Sequence, residues 1–83
     1  MKNKEVYEKL GFAIKSQRKK SGITQIQMCH LLRLGNIEIS AQQLQKYESG
    51  INRMPVVVLL EICKILNVNI KTILEWSKGK TIE

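Results

Sequence analysis

Residues 22–50, GITQIQMCHLLRLGNIEISAQQLQKYESG, contain two helix starts of the same kind. In Thr24-Gln25-Ile26-Gln27, a hydroxyl residue precedes Gln by three positions, the pattern of a capping box that satisfies the free backbone donors of a helix start. Ser40-Ala41-Gln42-Gln43 repeats it. Gly35-Asn36 stops the first of these helices near Leu34, and Ser49-Gly50 stops the second. Met28, Leu31 and Leu32 point the first helix inward, and Leu44 and Tyr47 do so for the second. Helices this short are marginal alone, so neighbours must hold them.

The flanks supply those neighbours. From about Lys4 to Lys20, Val6, Leu10, Ala13, Ile14 and Gln17 recur at amphipathic-helix spacing, and Ser21-Gly22 ends the run. Pro55 suits a first helical position, and the segment to Leu66 is the most apolar of the chain. Leu59, Ile62, Cys63 and Leu66 form its stripe, widened by Val58 and Ile65, which leaves Glu61 and Lys64 as the expected wet face of a central core helix. Asn67 can cap that helix in the left-handed conformation. Asn69 can open a fifth, over about 69–78, with Ile70, Ile73 and Leu74 on its apolar side. No segment alternates with period two between hairpin turns, so the expected class is all-α with five helices.

Composition narrows the function. With 83 residues, 43% of them apolar, the chain is long enough for one small core and short for a catalytic fold with a deep cleft. Its net charge of +7 favours a polyanionic partner, and residues 1–20 alone hold seven basic and two acidic side chains. The longest aliphatic run, Val56 to Leu60, is far below the roughly 18 residues that cross a bilayer. Charges near the N-terminus stand where a secretory signal needs an apolar region, so a cytoplasmic location without membrane partners is expected. Cys29 and Cys63 lack metal-ligand spacing and read as buried small residues; His30 stands alone. Without a phosphate loop, a nucleophile–base pair or paired acids, neither an enzyme nor a bound metal or cofactor is expected.

Two adjacent short helices inside a basic, all-helical chain make a helix-turn-helix arrangement. Ile14 and Arg18, then Gly22-Ile23-Thr24-Gln25, then Tyr47-Glu48-Ser49-Gly50, then Pro55, Leu59 and Ile65-Leu66-Asn67-Val68 resemble the phage repressor and Cro family of DNA-binding domains. The resemblance covers about residues 10–68. It implies a five-helix, lambda-repressor-like DNA-binding domain, taken here as one domain over 1–83, and a transcriptional regulator, most simply a repressor acting as a homodimer on a near-palindromic operator. One departure is the 24-residue interval from Thr24 to Glu48. It is about five residues longer than the family uses, an addition that costs little closure entropy and resembles the looser turn of POU-specific domains.

Within that frame the helix opened by Ser40 is the recognition helix. Gln pairs bidentately with adenine, Lys donates to guanine, and an Ala methyl can touch thymine, so Ala41, Gln42, Gln43 and Lys46 are the expected base-contact residues. Gln25, Ser40, Asn52 and Arg53 are the expected phosphate contacts, and Gln43 suits either role. The resemblance also implies that Arg18 and Glu48 form an ion pair tying the first helix to the recognition helix. The first-helix lysines Lys2, Lys4, Lys9, Lys15, Lys19 and Lys20 read as a solvated face whose field aids association. Trp76, Ile73 and Leu74 form a candidate dimer surface. The alternative reading is an antitoxin or adaptor that chiefly holds a protein partner.

Overall fold

The structure, a computed structural model, describes residues 2–78 and the side chains of residues 4–78, so the Lys2 side chain lies outside it. The helices are α1 (Lys2–Lys20), α2 (Gln25–Leu34), α3 (Ala41–Ser49), α4 (Val56–Leu66) and α5 (Ile70–Ser77). Among the described residues there is no strand. Local chemistry sets most of these limits. Thr24 Oγ1 accepts from the Gln27 N–H at 3.1 Å while the Thr24 N–H donates to Gln27 Oε1 at 2.8 Å, completing the capping box of α2. The Ser40 cap is one-sided, with Oγ accepting from the Gln43 N–H at 3.0 Å. Pro55 caps α4 from outside it, because its ψ of 147° is extended; its carbonyl accepts from the Leu59 N–H at 3.0 Å. Asn36 and Asn67 take left-handed φ of 66° and 56° and turn the chain after α2 and α4.

The core draws on every helix: Leu10, Ala13 and Ile14 of α1, Met28 and Leu32 of α2, Leu44 of α3, Ile62 and Leu66 of α4 and Ile73 of α5 are all buried. α1 is the hub, packing on α3, α4 and α5, while α2 packs on α3 and α4. α4 supplies more buried apolar side chains than any other helix yet is covered on one side only. Its wet face is therefore wider than the sequence suggests, with Val56, Val57 and Leu60 exposed along with Lys64, and Glu61 half-buried. Val6 is likewise exposed, lying at the edge of the α1 stripe, and Leu31 is half-buried. The longer turn is held rather than free. Ile37 and Ile39 pack against the core, and the Ile37 N–H donates to the Leu32 carbonyl at 3.0 Å, while Leu34 projects outward. No helix among the described residues is long and apolar enough to cross a membrane.

Candidate nucleic-acid interface

The inner side of α3 is fixed by charge. Arg18 Nε donates to Glu48 Oε2 at 2.6 Å and Nη2 to Glu48 Oε1 at 3.1 Å, a bidentate pair with both residues buried. Arg18 Nη1 also donates to the Ile23 carbonyl at 2.7 Å, and Gln25 Nε2 donates to Glu48 Oε1 at 3.0 Å. One guanidinium and one carboxylate thus join α1, the turn before α2, the first residue of α2 and the last turn of α3. Burying two charges is costly unless other bonds help to compensate them, and with the bonds to Ile23 and from Gln25 every guanidinium nitrogen and carboxylate oxygen of the pair has at least one partner. Among the described residues no buried side-chain polar atom lacks a partner.

Close packing reinforces the tie. A Cβ on Gly11 of α1 would stand 2.5 Å from the Glu48 carbonyl oxygen and closer still to that of Tyr47, so only a residue without a side chain lets α1 lie on the end of α3. At Gly50 the chain turns with φ of 81°, and a Cβ there would meet the Glu8 backbone at 2.6 Å. The end of α3 is therefore pressed onto α1 at two successive places.

The outer side of α3 is open. Gln42, Gln45 and Lys46 are exposed, Gln43 is half-buried, and the buried Leu44 and Glu48 face inward. Gln45 shares this surface one turn beyond Gln42, a spacing already visible in the sequence. Ala41 is half-buried and packs against the core because it starts α3 beside α2, so its methyl is only partly available. Ser40 is exposed; its oxygen serves the cap, and its hydroxyl hydrogen remains free to donate outward. Gln25 departs from a simple outward projection, since one amide hydrogen is taken by Glu48, leaving the other for an external acceptor.

Asn52 and Arg53 follow α3 and are exposed, with the Asn52 N–H donating to the Lys46 carbonyl at 3.3 Å. The Arg53 guanidinium lies 5.3 Å from the centroid of the Tyr7 ring on α1, within cation–π range. This contact was not legible in sequence, because it joins residues far apart in the chain and neither belongs to a motif with the other. Burial pushes both the Cys29 and the Cys63 thiol up, and nearby Arg33 only partly offsets it at Cys29. Among the described residues no cluster of His, Cys, Asp and Glu is placed to hold a metal ion.

Comparison with curated proteins and with solved structures gave no match. A family model described as the Cro/C1-type HTH DNA-binding domain matches residues 1–79, which spans all five helices. With a short helix held from behind by a buried ion pair and its polar side outward, the chain belongs to the Cro/C1-type HTH DNA-binding family.

Proposed function

We propose that the chain is a transcriptional repressor that binds a near-palindromic operator as a homodimer, reading bases with the outer side of α3. The observation that carries this reading is the contrast across that helix: Gln42, Gln45 and Lys46 are exposed, while Glu48 is locked to Arg18 behind them. A reading helix must offer its side chains without losing its own position, since each good bidentate base contact discriminates by about 1–3 kcal/mol only when aligned. In this scheme Gln42 and Lys46 carry the main base contacts, with Gln43 and the partly covered Ala41 beside them. Gln25, Ser40, Asn52 and Arg53 meet phosphates.

Association of two copies is supported by apolar surface away from α3. Val6, Val56 and Leu74 rim a groove of about 370 Å³ between α1, α4 and α5, and Val57 and Leu60 extend the apolar surface along α4. Ile73 is fully buried and Trp76 half-buried, so of the C-terminal residues Leu74 is the one this surface uses. Binding-site selection from random duplexes tests the proposal. The expected product is a motif with two-fold symmetry and half-sites about 34 Å apart, and no enrichment at moderate salt would overturn it.

A second reading, an adaptor or antitoxin that holds a protein, rests on Phe12, which is 67% exposed beside a groove it forms with Glu8, Lys9, Ala13 and Trp76. Alanine at Gln42 and Lys46 separates the two. Loss of specific DNA binding with the fold retained favours the repressor, whereas undiminished operator binding would sink the base-contact assignment.

A further inference from the structure

The outer side of α1, turned away from the core, is ordered by charge. Glu5 and Glu8 stand on its N-terminal half, Lys15 and Lys19 on its C-terminal half, and Phe12 lies between them, one helical turn beyond Glu8. All five residues are exposed. Among the described residues Glu8, Lys15 and Lys19 form no ion pair, and Glu5 has only an exposed contact of 3.8 Å with Lys9. Phe12, the only exposed aromatic residue among those described, borders a groove of about 380 Å³ that it lines with Glu8, Lys9, Ala13 and Trp76. An exposed ring beside an open apolar groove, with acid on one side and base on the other, has the parts of a self-complementary surface.

We infer that a second copy of the chain docks on this surface, α1 against α1, antiparallel about a two-fold axis at Phe12. The order of charge selects this occupant. A parallel pairing would set acid beside acid and base beside base. A partner of one sign, nucleic acid included, would meet like charge at one end of the helix. An antiparallel pairing centred on Phe12 instead puts Glu8 across from the partner's Lys15 and Glu5 across from the partner's Lys19, each twice by symmetry. Lys9 then faces the partner's Ser16, which is neutral. Each Phe12 ring covers the other copy's groove against Ala13 and Trp76, so apolar surface leaves water on both sides of the axis. The contact is one helix wide, which makes it a small, reversible interface rather than an obligate one. It shares no residue with the surface on α4 and α5 proposed for operator binding, and it does not depend on what α3 reads.

Sedimentation equilibrium of the whole chain, from micromolar to millimolar concentration, tests the contact through three variants: Glu8→Lys, Lys15→Glu and Phe12→Ser. All three sites are exposed, so the fold is kept. Glu8→Lys raises the net charge and Lys15→Glu lowers it, so general repulsion between copies would shift association in opposite directions. Facing pairs predict that both weaken it, by about two- to 30-fold, since each substitution meets its counterpart twice across the axis. The two substitutions combined in one chain restore the native association, because the pair is reversed but retained. Within one copy the two positions lie about 10 Å apart along the helix, too far to pair, so the rescue must come from a partner. Phe12→Ser, which leaves net charge alone, weakens association at least about tenfold. A native chain that stays monomeric, or a combined variant no tighter than the single ones, would overturn the contact. If the native mass rises with concentration and none of the three variants changes it, association runs through another surface and the assignment to α1 is wrong.

Discussion

The two sides of α3 invert the distribution of charge expected from net composition. Behind the helix, Arg18 and Glu48 are 5% and 3% exposed and bonded bidentately, whereas the outer side, the one proposed to meet DNA, has Lys46 as its one cation among glutamines. Ionic attraction is long-ranged and indifferent to sequence, so it belongs on α1, at a distance from the bases. Neutral amides discriminate by geometry, so they belong where geometry is held. The buried pair supplies that hold. Under the proposed function, attraction, positioning and reading each fall to a different kind of side chain.

The largest effect is expected on the inner side of α3. Glu48→Ala leaves the buried Arg18 guanidinium uncompensated and frees Gln25, a loss of about 3–5 kcal/mol. For a domain of this size that is a fall in Tm of about 12 °C or more, measured by thermal unfolding. An unchanged Tm would mean that the pair does not position α3. Gly11→Ala attacks the same seam without touching charge. Its methyl must displace the backbone of Tyr47 and Glu48, so a cost of about 1–3 kcal/mol is expected, lowering Tm by about 4 °C at the least. A neutral result there would show that α1 and α3 can separate without loss.

Glu48 stood out in the sequence and Gly11 did not. Helix ends were legible because each is written in a few neighbouring residues, as in Thr24 to Gln27 or at Asn67. The exposure of Gln42 and Lys46 followed from the inward spacing of Leu44 and Tyr47. The partnership of Arg18 with Glu48 came from family resemblance; a separation of 30 positions carries no spacing rule that predicts it. Gly11 lies inside a helical run with no turn signal, and its need for a bare Cα comes entirely from α3. On α4 nearly every position is apolar, so periodicity alone does not say which side its neighbours cover. The inward turn of Gln25 has the same origin, since the acceptor that draws it lies on another helix.

From the outside, alanine at Gln42 or Lys46 should weaken binding to the selected operator by about 1–3 kcal/mol each, roughly five- to 150-fold, while leaving stability within ~0.5 kcal/mol. The two readouts must part company. If Tm fell along with affinity, the outer side of α3 would share in the packing, and the division between positioning and reading would fail.

The smallest expected effect lies just past the end of α3, where Arg53 of the following loop meets the Tyr7 ring. Arg53 is exposed, and an exposed cation–π contact contributes about 0.5–1 kcal/mol. That is too little to hold the fold but enough to narrow the space a long side chain explores. If Tyr7 acts by orienting Arg53 toward a phosphate, Tyr7→Leu, which keeps apolar bulk, should weaken duplex binding about two- to fivefold in the native background and not at all beside Arg53→Ala. Equal losses in both backgrounds would place Tyr7 in the packing of α1 alone. Arg53 would then be a mobile charge, and positioning from α1 would end at the buried pair.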